Sequence, residues 1–357
     1  MQRIMSLAML AVMGGLGYLF LQGGGLKQIA NSPQSDSQQK ATPTPYQTPG
    51  SWNAPARQQP YQADSTSSQQ PKAQQGTLPS QRSSGPTLRI ASFNIQVFGN
   101  AKASKSYVMA TLAKIIRRFD VVAIQEIRSK NEHLIPNFVE LINSTGVHYD
   151  HVIGPRLGYT SVKEQYAFLY NTERVQLDYH RVYTIGDPDG LLHREPLVAT
   201  FMTRGVDPDQ AFTFTLVNIH TDPDDVQSEV DALAEVYRVV RRTGRGEDDI
   251  ILLGDFNADD RHLGRLNQLP GMVPLISGVA TNARQTKQYD NLLIHKPSTT
   301  EYSGRSGVFD VMRFINRSLQ DTLQVSDHFP VWAEFSIYER DYNGRIASRK
   351  LGGRAIE

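Results

Sequence analysis

The stretch Ile250-Ile251-Leu252-Leu253-Gly254-Asp255-Phe256-Asn257 decides how the chain is read. Its four branched apolar residues predict a strand buried on both faces. Gly254 ends the run, and Asp255 and Asn257 follow with Phe256 between them. On extended backbone, residues two apart point to the same side, so a carboxylate and a carboxamide are expected to emerge together where a central strand ends. Layered α/β proteins place ligands at that end of their strands. Taken alone, Asp255 and Asn257 serve equally well as turn formers after a core strand.

Working outward, the spacing predicts a helix over Asp225 to Arg242. Val226, Val230, Leu233, Tyr237 and Val240 make its apolar stripe, acidic residues fill its first turn and Gly244 stops it. Further strands are expected at Leu88–Asn94, Val121–Glu126, Tyr149–Ile153, Gln165–Tyr170, Val175–Ile185, Leu197–Thr203, Phe212–His220, Tyr289–His295 and Val331–Ile337. Two more helices are expected, one presenting Val108, Leu112, Ile115 and Phe119 on one face and one over Leu134–Asn143. Many strands with few helices, in an order that does not strictly alternate, point to an α/β fold of two packed sheets flanked by helices.

The chain has 357 residues, a net charge of +1 and no cysteine. The missing cysteines exclude disulfides, thiolate-bound zinc and a thiol nucleophile together. Arg3 precedes an apolar run from Ile4 to Leu21, so residues 1–30 read as a signal-anchor or a signal peptide. An uncleaved anchor is the leading reading, because 22–30 offers only weak small-x-small sites. The protein is therefore expected outside the cytoplasm, held at a membrane by this segment or secreted if it is cleaved. Residues 31–86 are rich in Gln, Ser, Pro and Thr and read as a disordered tether. The ordered domain is expected over 87–340, followed by a basic flexible tail over 341–357.

Polar residues recur at the strand ends. Asn94, Glu126 and His220 each close a strand, Asp255 and Asn257 follow the next, Asp290 opens another, and Asp327-His328 precedes the last. Carboxylates and carboxamides without thiolates suit a hard cation, Mg²⁺ or Mn²⁺, with Ca²⁺ also compatible. Histidines beside such a site suit proton transfer near neutral pH. Phosphodiester hydrolysis needs both.

These residues lie in motifs that resemble a known family. Ser92-Phe93-Asn94-Ile95-Gln96, Ile124-Gln125-Glu126, Arg194-Glu195-Pro196, Asn218-Ile219-His220, Gly254-Asp255-Phe256-Asn257, Tyr289-Asp290 and Ser326-Asp327-His328-Phe329-Pro330 resemble, in order, the motifs of the endonuclease/exonuclease/phosphatase superfamily. Phe93 to Gly99 and the strand Lys163-Glu164-Gln165-Tyr166-Ala167-Phe168 are similar to the deoxyribonuclease I-like group within it. The resemblance covers about 87–338 and implies a four-layered α/β sandwich with mainly antiparallel sheets. It implies a metal-dependent endonuclease acting on DNA with low sequence specificity. The alternative within the superfamily is a phosphoesterase acting on RNA, an inositol phosphate or a phospholipid head group.

Residue by residue, the resemblance makes Glu126 the main metal carboxylate, with Asn94, Asp255, Asn257 and Asp327 around the metal and the scissile phosphate. It pairs His220 with Glu164 and His328 with Asp290, one imidazole as base and the other as acid, with neither role assigned. Arg194 would hold a phosphate and Arg128 would enter the minor groove. The chain also departs from the group. Val162 stands where a minor-groove tyrosine is expected, and Val279 replaces the leading aspartate of a calcium loop, although Thr281 matches. Asp187 and Asp189 lie out of register with a second calcium loop. His133, His148, His151, His180, His193, His262 and His295 match no motif.

Overall fold

A computed structural model describes residues 86–159, 163–244, 246–340 and 345–346. The N-terminal segment, all but the last residue of the tether, Val162 and most of the tail lie outside these residues. Among the described residues no helix is long and apolar enough to cross a membrane.

The elements run β1 (Thr87–Phe98), α1 (Asn100–Ala103), α2 (Ser106–Ile116), β2 (Val121–Ile127), α3 (Leu134–Asn143), β3 (Tyr149–Ile153), β4 (Gln165–Asn171), β5 (Val175–Thr184) and β6 (Leu197–Thr203). They continue with β7 (Thr213–His220), α4 (Val226–Thr243), β8 (Ile250–Asp255), β9 (Met272–Pro274), β10 (Asp290–His295), β11 (Tyr302–Val308), α5 (Val311–Ile315), α6 (Leu319–Val325) and β12 (Val331–Ser336). One sheet has the order β11-β12-β1-β2-β4-β3 and the other β5-β6-β7-β8-β10-β9.

Each sheet holds one parallel pair, β1 with β2 and β7 with β8, and is antiparallel elsewhere. A parallel pair needs a crossover, and helices supply it: α1 and α2 between β1 and β2, and α4 between β7 and β8. The sheets meet through aromatic rings. Phe168 lies 5.8 Å from Phe201 and Phe212 6.0 Å from Phe335, ring centre to ring centre. On the outer faces α2 and α3 bury Val108, Leu112, Ile115, Leu134 and Phe138, and α4 buries Val230, Leu233, Tyr237 and Val240. Helix, sheet, sheet and helix make the four layers that the resemblance implied.

One polar knot lies between the sheets. Gln125 Nε2 donates to Asn218 Oδ1 at 2.6 Å and to Ser92 Oγ at 3.0 Å. Asn218 Nδ2 in turn donates to the carbonyls of Ile124 and Ala167. All three side chains are fully buried, so these bonds replace the water each would otherwise need.

The strand expected at Ile250 to Leu253 is present and wholly buried. Gly254 pairs with Ile219 on β7. Its φ is +155°, and a Cβ there would sit 1.9 Å from the Ile219 carbonyl oxygen. Only glycine permits that close approach. The chain leaves extended backbone straight after β8, with Asn257 at φ 48°. Asp255 and Asn257 are thus related by a turn and not by extended backbone: Asp255 Oδ1 accepts the Asn257 N–H at 3.0 Å. Asp255 serves as both the turn former and the site carboxylate.

Candidate active site

Both parallel pairs end at the same edge of the sandwich. Their C-terminal ends deliver Asn94, Glu126, His220 and Asp255. The antiparallel neighbours β4, β10 and β12 begin there, which brings Glu164, Asp290, Asp327 and His328 to the same place.

Glu126 owes its position to a bulge. Between Ile124 and Ile127 the β2 strand advances three residues while β4 advances two, from Ala167 to Gln165. Glu126 takes φ 62°, a left-handed conformation rare for a side chain of its size. Without the bulge it would follow Ile124 into the core. Its Oε1 accepts from Asn94 Nδ2 at 3.1 Å and its Oε2 from the Val97 N–H at 2.8 Å.

Asp255 is the centre of the site. Its Oδ2 accepts from Asn94 Nδ2 at 3.0 Å. The same oxygen lies 3.7 Å from His220 Nε2 and 3.6 Å from His328 Nε2. Each imidazole is anchored through its other nitrogen, His220 Nδ1 on Glu164 Oε2 and His328 Nδ1 on Asp290 Oδ2, both at 2.8 Å. A carboxylate at Nδ1 fixes the proton there, so both Nε2 atoms are left to face the cleft. Asp290 Oδ2 also accepts from Thr281 Oγ1 at 2.7 Å, and His328 N–H donates to Ser326 Oγ at 3.0 Å. Thr281, expected in a calcium loop, here orients the Asp290 carboxylate.

The charges follow from these contacts. Burial lowers the His328 imidazole, but Asp290, Asp255 and Asp327 outweigh it and push it up to about 10. Burial raises the Glu164 carboxyl, yet His220, Arg194 and Arg128 together hold it at about 2. Burial raises Asp255 as well, and the His328 and His220 imidazoles, the Asn257 amide and Asn94 hold it below the usual carboxylate range.

The remaining expected residues are present with adjusted surroundings. Arg128 Nη2 bridges Glu126 Oε2 and Glu164 Oε1, 2.9 Å from each. Arg194, expected on a phosphate, is buried, and its Nε and Nη2 donate to the carbonyls of His220 and Thr221 at 3.1 and 3.0 Å. Asn257 Nδ2 reaches the Thr221 carbonyl at 2.9 Å. Asp187, expected near a calcium loop, uses Oδ2 to accept the Leu192 N–H at 2.7 Å.

Sequence reading missed Lys102. Its Nζ donates to the carbonyls of Ile95 and Val325 at 2.6 and 2.8 Å and ties the Asn94 segment to the Asp327 segment. Burial lowers its ammonium to about 8, while Asp327 and Glu126 pull it back up. A lone lysine in a short polar helix carried no signal. His193, set aside for want of a motif, places Nδ1 3.0 Å from Asp222 Oδ2 and stacks edge-on against the exposed Tyr159 ring.

Carboxylate and carboxamide oxygens without thiolates suit a hard cation in this cleft, where Glu126 Oε2 is held by Arg128 Nη2 at 2.9 Å. Asp327 Oδ1 is buried and accepts no hydrogen bond. Asp255, Asp290 and His328 bring one donor atom each within 4.8 Å of one another. His328 Nδ1 is already engaged with Asp290, which argues for a proton-holding pair there rather than a cation seat. Glu126 belongs to no such trio among the described residues.

Comparison with known proteins identifies the family. Residues 91–328 match the Endonuclease/Exonuclease/phosphatase family. The chain is 34% identical to deoxyribonuclease gamma of Rattus norvegicus over 292 residues, covering 75% of this chain and 92% of that protein. It is 33% identical to deoxyribonuclease gamma of Homo sapiens, with 68% and 84% covered. It is 33% identical to deoxyribonuclease-1-like 1 of Sus scrofa, with 70% and 81% covered. With the family's span running from β1 to the histidine before β12, the chain belongs to the Endonuclease/Exonuclease/phosphatase family.

Proposed function

We propose that this chain is a divalent-metal-dependent deoxyribonuclease, an endonuclease that hydrolyses DNA phosphodiesters with two histidines as base and acid. The observation that carries the reading is the placement of two Nε2 atoms, 3.7 and 3.6 Å from one Asp255 oxygen, with each ring locked from behind by a carboxylate. The names of the relatives favour DNA over the alternatives of RNA, inositol phosphates and phospholipid head groups.

Glu126 would hold Mg²⁺ or Mn²⁺, with Asn94 and Asp327 beside it, and the bound cation would neutralise the phosphoryl oxygens. His220 Nε2 takes the proton of the attacking water. Glu164, ionised throughout, stabilises the imidazolium that forms. His328 begins the cycle protonated, since Asp290 and Asp255 hold its charge. Its Nε2–H faces the leaving 3′-oxygen, a far stronger base than imidazole, and passes the proton as the bond breaks. Asp255 sets the distance between the two rings, and Asn94 and Asn257 fix Asp255. Arg194 positions His220 through the backbone. Arg128, its side chain 31% exposed and paired with Glu126 and Glu164, would meet the duplex beside the cleft.

A side-by-side assay of duplex DNA, single-stranded DNA and RNA under Mg²⁺ or Mn²⁺ titration tests the reading. Nicking of supercoiled plasmid that stops with a chelator is expected. Cleavage of RNA alone, or cleavage that ignores chelation, defeats it. The apolar run Ile4 to Leu21 supports a location outside the cytoplasm. Protease accessibility of the domain in intact cells tests that part, and a domain found in the cytosolic fraction would overturn it.

A further inference from the structure

The site above uses one end of β8. At the other end Asp249, Glu301 and Glu339 bring one carboxylate oxygen each within 4.8 Å of one another. Glu247 joins Asp248 and Asp249 in an adjoining trio. Asp249 precedes β8 in the second sheet, while Glu301 precedes β11 and Glu339 follows β12 in the first. The cluster therefore joins both sheets at the pole opposite the catalytic residues, about 20 Å away along β8.

Asp249 is 1% exposed and Glu301 0%. Asp249 Oδ1 and Glu301 Oε2 are both buried and accept no hydrogen bond from outside the pair, while the two carboxyl groups lie within hydrogen-bond reach of each other. The other oxygen of Glu301 accepts the Arg340 N–H at 2.6 Å. Glu247 is held by the Thr213 hydroxyl and, through Oε1, by the Asp249 N–H at 3.0 Å. The strongest charges acting on Asp249 are those of Glu301, Glu247, Glu339 and Asp248, all negative. Arg340 contributes one positive charge near Glu301.

Buried carboxylates without partners are costly, and like charges around them add to the cost. Positive charge taken up between Asp249 and Glu301 would offset that cost. One shared proton would join Asp249 to Glu301 and leave Glu247 and Glu339 facing the pair. A divalent cation answers Asp249, Glu301 and Glu339 from one point. We propose that Asp249, Glu301 and Glu339 form a second, structural site for a hard divalent cation, Ca²⁺ in first place, which clamps the two sheets at this pole. Oxygen-only donors without imidazole or thiolate suit Ca²⁺, whose coordination is flexible.

Thermal melting and calorimetric CaCl₂ titration of the metal-stripped full-length chain test the site. Ca²⁺ should raise the melting temperature by several degrees in the wild type and equally in Glu126→Gln, which leaves this pole intact. In Asp249→Asn/Glu301→Gln that rise should vanish, and Ca²⁺ uptake at this site should weaken at least about tenfold. Should the double variant fail to fold, Asp249→Asn alone keeps the shape, removes one charge and is read by the same criteria. An equal Ca²⁺ response in every chain would overturn the proposal. So would a wild type indifferent to Ca²⁺ with a variant that melts higher, since protons would then fill the cluster.

Discussion

Glu164→Gln keeps the shape of the side chain that anchors His220 and removes its charge. Glu164 Oε2 accepts His220 Nδ1 at 2.8 Å, and Oε1 holds Arg128 at 2.9 Å. Its carboxyl stands at about 2 against 4.5 in an unstructured chain. At ~1.4 kcal/mol per unit, ionised Glu164 adds about 3 kcal/mol to the fold at neutral pH. The folded value lies below the unfolded one, so this stabilisation is present above pH 4.5 and is lost as the pH falls towards 2. An amide can also present its NH₂ to Nδ1 and select the wrong imidazole tautomer, which in a serine-protease triad costs about 10⁴ in kcat. A fall of ~10³–10⁴ in plasmid nicking at unchanged KM is expected here. Urea unfolding at pH 7 and pH 3 supplies the second readout. Acidification should destabilise the wild type more than the variant, which has no such carboxylate to protonate. A variant within about tenfold of wild-type turnover, or parallel acid losses in both chains, would refute this account of Glu164.

Three further perturbations probe other parts of the site. Gly254→Ala places a methyl group 1.9 Å from the Ile219 carbonyl oxygen and forces β7 and β8 apart, so a loss above ~3 kcal/mol in urea unfolding is expected and a loss below ~1 kcal/mol would contradict it. His328→Gln tests the raised imidazole: a His pKa raised from 6.5 to about 10 stabilises the fold below pH 6.5 and loses that contribution as pH rises through about 10. Wild-type stability should thus fall between pH 7 and pH 10 more steeply than that of His328→Gln, and superimposable pH profiles would count against it. Asp255→Asn should lower nicking by ~10³-fold or more while circular dichroism stays native, whereas unfolding of the domain would return Asp255 to a purely structural role.

Much of the sandwich was legible because apolar runs and helical stripes report burial directly. Ile250 to Leu253 and the stripe of α4 gave their elements almost to the residue. Sequence reading did not find α1, β9, β11, α5 or α6. The β11 strand is a polar edge strand with Gly304 inside it, Tyr302 half-buried and Ser303 to Arg305 exposed, so it lacks the alternation that marks a half-buried strand. The α5 and α6 helices have five and seven residues, too short for a periodic signal. The site residues were legible as a list of motifs but not as a geometry. The bulge that turns Glu126 outward, the left-handed Asn257 and the diversion of Arg194 onto carbonyls all depend on tertiary pairing. Lys102 left no trace, and Gln125 and Asn218 stood in motifs without any sign that they meet, because single polar residues between apolar ones look alike whether or not they are in contact.

The central claim is that the imidazoles flanking Asp255 are base and acid in metal-dependent DNA cleavage. Single-turnover cleavage of a duplex oligonucleotide with Mg²⁺ by wild type, His220→Ala, His328→Ala and the double variant tests it most directly. Each single variant should lose about 10²–10⁴ in rate. The double variant should fall little further, because the two groups serve one transition state. A wild-type rate in either single variant would contradict the account.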